Sequence, residues 1–175
     1  GYSSSCIFDF RNSDALDFSS NGYIDTVVIK YDSSGSPIWV SHTNGSTTGA
    51  HLYASNLEVD ANENITVGGS FINASNNNAI DFAGISITNT YSGNYKMPFV
   101  VRLNPDGSGA WVAAPTSNDT GKEDIENYEI QVTSHPDGSA TLAFVALYAM
   151  KFGNLDLARG PNSYISSVVA HLDAG

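Results

Sequence analysis

The sequence predicts an all-β protein built from repeated four-stranded antiparallel units. Short segments rich in Val, Ile, Tyr, Phe and Trp alternate with turns rich in Gly, Asp, Asn and Ser, which is typical of antiparallel strands. A strand-turn-strand segment at residues 26–40 recurs at residues 99–112 and begins again at Val168. Internal repetition of this kind indicates a modular architecture.

The first half of the chain predicts strands at residues 6–10, 23–31, 38–40, 52–60 and 65–71. The turn that starts at Asp32 contains Gly35, and glycine adopts a positive φ without steric cost. A second turn starts at Asp60. The pair Gly68 and Gly69 lies inside a strand, which indicates a bulge or a close approach of another group to the backbone.

The second half repeats this order, with strands predicted at residues 85–88, 99–103, 110–112, 130–132, 141–150 and 164–173. Residues 81–85 match Asp17 and Phe18 of the first half. The spacing of Ile125, Tyr128 and Ile130 also suits a short helix. The repeat register places them in a strand, and we follow the repeat.

Three motifs carry a resemblance to a known repeat class. The first is a Val-rich strand with a Lys or Arg near its end, followed by a turn that contains Asp and Gly and then by Trp, at residues 27–39 and 100–111. The second is the segment 59–71, and the third is Asp-Phe-Ala-Gly-Ile at 81–85. These motifs resemble the SBBP repeats of bacterial and archaeal β-propeller proteins. The resemblance implies stacked four-stranded sheets on an extracellular or cell-surface protein, and it implies no shared catalytic residues.

We expect a single all-β domain over residues 1–175, with a half repeat at 1–36 and full repeats at 37–108 and 109–175. A closed propeller needs roughly four to eight blades. The units are therefore expected to be propeller-blade-like or to pack as a two-sheet β-sandwich, with open edges completed by neighbouring subunits. Several chains completing one ring, or a chain that is a piece of a longer protein, are alternatives.

The terminal strands are the predicted assembly elements, because an unpaired sheet edge templates pairing with another chain. The assembly residues that we expect are Ile7, Phe8, Phe10, Ile165, Val168, Val169 and Leu172. Joining of unlike edges without closure produces a filament.

The net charge of −11, with seven scattered basic residues, excludes a basic stripe for nucleic acid. No apolar run is long enough to cross a bilayer as a helix. An acidic cluster offers oxygen ligands that suit Ca²⁺, and its alternative is a solvated acidic loop. The candidate calcium ligands in this cluster are Asp119, Glu123, Asp124 and Glu126.

Export is predicted from composition and from glycosylation sequons at Asn44, Asn64, Asn73 and Asn118. We expect the single cysteine, Cys6, to be a small buried apolar residue.

No catalytic set is recognisable. His42, His51, His135 and His171 form no paired metal-ligand motif. The carboxylates Asp9, Asp14 and Asp17 are close in sequence, but nothing establishes the separation that a glycosidase needs.

Other polar and aromatic groups have structural interpretations. Aspartates in turns usually cap their own backbone, which we expect of Asp32, Asp60, Asp106 and Asp137. Trp39 and Trp111 occupy equivalent repeat positions, which favours packing. A sugar-stacking surface is an alternative for Tyr53, Tyr91, Tyr95 and Tyr128.

The sequence therefore predicts a non-catalytic extracellular structural protein that assembles with copies of itself into a filament, tube or surface layer. The alternatives are a propeller-like surface module that binds glycans or another ligand, and a fragment of a larger cell-surface protein.

Overall fold

The computed structural model describes residues 5–8, 16–19, 25–45, 50–73, 79–88, 96–115, 130–146, 150–152, 155–157 and 166–173. These residues form strands and turns, with no helix among them, so the predicted all-β class is confirmed. The strands are β1 (Ser5–Phe8), β2 (Leu16–Ser19), β3 (Val27–Tyr31), β4 (Pro37–Gly45), β5 (Ala50–Val59), β6 (Ile65–Asn73), β7 (Ala79–Phe82), β8 (Ile85–Thr88), β9 (Lys96–Leu103), β10 (Gly109–Ala113), β11 (Gln131–Ser134), β12 (Ala140–Ala146), β13 (Met150–Phe152), β14 (Leu155–Leu157) and β15 (Ser166–Leu172).

Three antiparallel sheets organise these strands, and none closes into a barrel within the described ranges. The first sheet has the order β3-β4-β7-β8, the central sheet β10-β9-β6-β5 and the third sheet β11-β12-β15. The pairs β1-β2 and β13-β14 form separate hairpins. In the central sheet, β5, β6, β9 and β10 are neighbours in the order that they have along the chain. β7 and β8 lie between β6 and β9 in the sequence, but they belong to the first sheet.

Four five-residue turns of one geometry connect the hairpins β3-β4, β5-β6, β9-β10 and β11-β12. In each turn the first N–H donates to the fifth carbonyl, and the fourth N–H donates to the first carbonyl. The fourth residue has a positive φ in every case: Gly35 85°, Glu63 63°, Gly107 85° and Gly138 91°. Glycine is favoured there because it has no β-carbon to clash, and Glu63 is the exception.

The predicted irregularity at the glycine pair is confirmed. β5 has a bulge between Ala54 and Asn56, directly opposite Gly69 and Gly68 of β6. A β-carbon built on Gly68 would overlap Cγ1 of Val132 in the third sheet. The missing side chain therefore allows the central and third sheets to approach closely.

Two apolar clusters lie on the two faces of the central sheet. β9 contributes to both because its side chains alternate between the faces. Phe99, Val101 and Leu103 join the first cluster, which also contains Val28 of β3. Val100 joins the second cluster, together with Val132 and the other buried residues of the third sheet. The central sheet is consequently covered on both faces, as a stacked arrangement requires.

Several strand predictions differ from the structure. Residues 16–19 form β2, where no strand was predicted. The single strand predicted over residues 141–150 is two strands, β12 and β13. β13 and β14 were missed because three-residue strands carry too little periodicity to be recognised. The predicted repeat boundary at residue 108 falls between β9 and β10 and stays a prediction.

Candidate assembly edge

Strand edges are the sites that the predicted function needs, and the edge of β11 is protected by side chains. Its N–H groups at Ile130, Val132 and Ser134 point away from β12. They donate to Ser55 Oγ at 3.1 Å, to Asn56 Oδ1 at 3.2 Å and to Glu58 Oε2 at 3.4 Å, respectively. Because β5 side chains occupy these donors, another strand cannot pair there without displacing them.

The outer strands of the central sheet carry bulges. β5 is interrupted at Ala54 and Asn56, and β10 changes register between Gly109 and Trp111. A bulge breaks the regular ladder that an added strand would need, so both edges are poor templates.

β15 lies at the edge of the third sheet. Among the described residues, no side chain caps its outward N–H groups and no bulge interrupts it. Its seven residues, Ser166–Leu172, contain no Pro, Gly, Lys or Arg and pair continuously with β12. The side chain of Val169, at the middle of the strand, is 73% exposed. A regular edge of this length without Lys or Arg is a template for strand addition.

Hydrogen-bond alternation shows which backbone groups of β15 are free to pair. His135 N–H donates to the Ser139 carbonyl, which fixes the alternation in the β11-β12 ladder. The register of β12 with β15 then directs the backbone groups of Val168 and Ala170 toward β12. The N–H and C=O groups of Ser167, Val169 and His171 are directed to the free edge.

The strand equivalent to β15 in the central sheet is β9, and β9 is paired on both sides. β6 flanks it on one side and β10 on the other. In the sequence repeat, Val169 corresponds to Val100 and His171 corresponds to Arg102. Val100 is fully buried in the second apolar cluster, whereas Val169 is the most exposed large apolar residue described. Within the described ranges, no strand therefore pairs with β15 on the side where β10 pairs with β9.

Arg102 is the centre of a buried polar group in the central sheet. Its Nη2 is paired with Asp60 Oδ2, and its Nη1 donates to Ser134 Oγ at 2.9 Å and to Thr66 Oγ1 at 3.3 Å. Burial would raise the pKa of Asp60, but hydrogen bonds from the Asn64 amide, from the backbone N–H groups of Asn64 and Asn62 and from Arg102 lower it below its ordinary value. Because Ser134 belongs to the third sheet, this group ties two sheets together.

Histidines replace the ion pair at the equivalent place in the third sheet. His135 and His171 stand where Asp60 and Arg102 stand in the repeat, and their ring centroids are 5.4 Å apart. Thr141, which corresponds to Thr66, lies between them, with its Oγ1 2.8 Å from His135 Nε2 and 3.3 Å from His171 Nδ1. The side chain of His171 is 54% exposed.

The two tryptophans pack as predicted but differ in their hydrogen bonding. Trp39 packs against the first cluster and donates from Nε1 to the carbonyl of Pro105 at 3.0 Å. Trp111 packs against the second cluster, but its buried Nε1 has no acceptor among the described residues. Pro105 lies in the turn that follows β9, and the corresponding residue after β15 is Ala174, outside the described residues. Trp111 therefore lies on the side of the third sheet where the fourth strand would add.

The turn aspartates cap their own loops, as predicted. Asp32 and Asp60 stand first in their turns and accept from the third and fifth N–H groups. Asp106 and Asp137 stand third and accept from the fifth N–H. The hydroxyl groups of Ser34, Ser108 and Ser139 are the main cause of the lowered pKa of Asp32, Asp106 and Asp137, respectively. The sequence alone did not distinguish an aspartate at the first position of its turn from one at the third position.

Of the predicted assembly residues, those in β15 are best defined. Val168 is buried, Val169 is exposed, and Leu172 is partly buried against the second cluster. Ile7 and Phe8 belong to β1, of which only the backbone is described. Phe10 and Ile165 lie outside the described residues.

The predicted calcium ligands, Asp119, Glu123, Asp124 and Glu126, lie outside the described residues. Within the described ranges, no group of three or more His, Cys, Asp or Glu side chains is placed to hold a metal ion. No described helix has the length and apolarity needed to cross a membrane.

The structure describes only some of the residues in the remaining site predictions. Asn64 is half-buried, and its amide nitrogen donates to both carboxylate oxygens of Asp60, at 3.2 and 2.9 Å. Asn118 lies outside the described residues, as do the side chains of Asn44 and Asn73. In the predicted sugar-stacking surface, Tyr53 is stacked with His51 at 6.1 Å, and Tyr91, Tyr95 and Tyr128 lie outside the described residues. Asp9 and Asp14 also lie outside, and Asp17 is described only as backbone.

No protein-family model, curated protein or solved structure matches this chain.

Proposed function

We propose that this chain is a non-catalytic structural module of an extracellular assembly, in which copies join by adding strands to open sheet edges. The observation that carries the proposal is the free edge of β15: seven regular residues, without a bulge or a charged Lys or Arg, and with Val169 exposed at the centre. Strand addition supplies backbone hydrogen bonds, and alternating side chains set the register.

The contrast between edges supports this proposal. Side chains of β5 block the edge of β11, and bulges interrupt β5 and β10. Native proteins protect sheet edges because exposed edges pair with other chains. An unprotected edge beside protected ones is consequently a candidate interface.

Composition supports the extracellular and repetitive parts of the proposal. Charged residues make up only 14% of the chain, and Gly, Ser, Asn and Thr fill the polar positions. The sequence resemblance to SBBP repeats adds the expectation of a surface location. Cation binding by the acidic segment around Asp119 is a further part of the proposal, with Ca²⁺ as the ion.

Negative-stain electron microscopy of the purified chain, combined with analytical ultracentrifugation over a range of concentrations, tests the proposal. We expect association that increases with concentration, and regular filaments, tubes or layers at the highest concentrations. Monomers at every concentration, dispersed as single particles, would refute self-assembly and direct attention to glycan binding. Repeating the imaging after chelation tests the contribution of calcium.

A further inference from the structure

The first sheet offers a second open edge, on β3. In the order β3-β4-β7-β8, β3 is terminal, and β4 is its partner within the described residues. Thr43 N–H donates to the Thr26 carbonyl at 3.0 Å, which fixes the alternation of this ladder. The N–H and C=O groups of Val27 and Ile29 are therefore directed away from β4.

The two open edges are of opposite kinds. β3, β9 and β15 are the same strand of the repeat, and β9 shows what that strand holds on each side: β6 on one side and β10 on the other. β3 keeps the β10-like neighbour, which is β4, and lacks the β6-like one. β15 keeps the β6-like neighbour, which is β12, and lacks the β10-like one. One copy thus carries one open edge of each kind.

Pairing of β15 with β15 of a second copy is disfavoured by the central sheet. β11 packs against β5 and β6, so the strand order places the free edge of β15 toward β9 and β10. An antiparallel β15-β15 pair has its two-fold axis perpendicular to the sheet, so both central sheets would lie on the same face. Trp111 of β10 already packs on that face of the third sheet, and the second central sheet would compete for this space.

We infer that the open edge of β15 pairs with the open edge of β3 in a second copy of this chain. A parallel pairing gives the strand order β11-β12-β15 followed by β3 and β4 of the second copy. It places Val169 on the same face as Val28, which packs against the central sheet of that second copy. This arrangement places the two central sheets on opposite faces of the joined sheet, which removes the competition beside Trp111. It uses the outward backbone groups of Val169 and Ile29.

The contact is heterologous, because it joins unlike edges. Each added copy covers one open edge and presents another of the same kind, so growth continues unless the geometry closes a ring. This inference rests on the proposed function, since it specifies the partner edge for a self-association that must exist first.

Proline substitutions at the two edges test the inference. V169P and I29P each remove an N–H that faces the open edge, without removing a hydrogen bond to β12 or β4. S33P is the matched control, because Ser33 corresponds to Pro105 and Pro136 in two turns of the same geometry. Circular dichroism and thermal unfolding of each variant report whether it folds, and V169K and I29K replace any proline variant that does not.

Sedimentation velocity of the variants alone and mixed gives the result. We expect V169P and I29P to be monomeric separately and to form a 1:1 dimer when mixed, because each retains the edge that the other lost. S33P associates like the unaltered chain. If I29P alone still associates while V169P does not, β15 pairs with itself and the head-to-tail inference is overturned, although self-assembly stands. If the unaltered chain is monomeric throughout, the proposed function fails as well.

Discussion

Residues at equivalent positions of the repeat differ in their hydrogen-bond partners. Trp39 and Trp111 occupy equivalent places, yet Trp39 has a carbonyl acceptor and Trp111 has none in the part of the chain that the structure describes. A buried N–H without a partner costs free energy that an apolar replacement recovers. The difference between these residues comes from the neighbouring turn and not from the tryptophan itself.

Replacing each tryptophan by phenylalanine separates the hydrogen bond from the packing. We expect W39F to lower the free energy of unfolding by about 1 kcal/mol more than W111F, which is a typical net value for one hydrogen bond. Urea unfolding of both variants measures the difference. A loss for W111F equal to or larger than that for W39F would contradict the absence of an acceptor for Trp111.

The buried pair Arg102 and Asp60 makes stability dependent on acid. The pKa of Asp60 in the folded chain lies below its ordinary value of 3.8. The unfolded chain therefore binds the proton more readily, and the stabilisation present at neutral pH is lost as the pH falls through the folded-state pKa.

Unfolding free energies measured between pH 7 and pH 2 test this dependence. We expect stability to decrease below about pH 4, and the decrease to be smaller in D60N, which cannot ionise at this position. R102M leaves Asp60 buried without its partner and is expected to cost about 3 kcal/mol at neutral pH. Equal acid sensitivity in D60N and the unaltered chain would assign the effect to the other turn aspartates.

At the scale of elements, close packing of two sheets depends on a missing side chain. Gly68 of β6 lies against Val132 of β11, and Ser55, Asn56 and Glu58 of β5 hydrogen-bond to the same strand. The position equivalent to Gly68 in the third sheet is Ala143, on a face that no described sheet covers. The glycine is thus required by the interface and not by the strand.

Gly68→Ala is expected to destabilise the fold by about 1–3 kcal/mol, because the added methyl group overlaps Val132 in a packed interface. Ala143→Gly is the matched control at the equivalent position, and only the small intrinsic cost of glycine in a strand is expected there. Chemical unfolding of both variants checks the comparison. A Gly68→Ala variant as stable as the unaltered chain would show that the two sheets can separate without cost.

At the scale of the whole molecule, charge opposes the proposed assembly. Each copy carries a net charge of −11, and like-charged copies repel over a distance set by the ionic strength. Assembly driven by strand pairing and apolar contacts must overcome this repulsion.

Self-association is therefore expected to strengthen with salt. Sedimentation at about 20 mM and about 500 mM NaCl compares long and short screening lengths. A higher association constant at the higher concentration is the expected result, and the V169P variant controls for non-specific salting out. Dissociation by salt would instead indicate that ion pairs hold the copies together.

Sequence alone was sufficient for the features that local chemistry sets. Alternating β-branched strands, turns with glycine at the positive-φ position and the recurrence of a Val-rich strand with Lys or Arg, followed by Trp, predicted the all-β class and the repeated hairpins. The capping role of Asp32 and Asp106 followed in the same way, because a turn aspartate reaches its own backbone whatever surrounds it. These interactions are confined to a few consecutive residues.

Tertiary structure decided which strand edges stay open and which partners each repeated residue meets. The protection of β11 needs side chains of β5, far away in the sequence, and the exposure of Val169 against the burial of Val100 depends on which sheet lies opposite. His171 and Arg102 likewise hold one repeat position in different surroundings. Non-local packing assigns neighbours to equivalent residues, so periodicity could identify the repeat but could not locate its free edge.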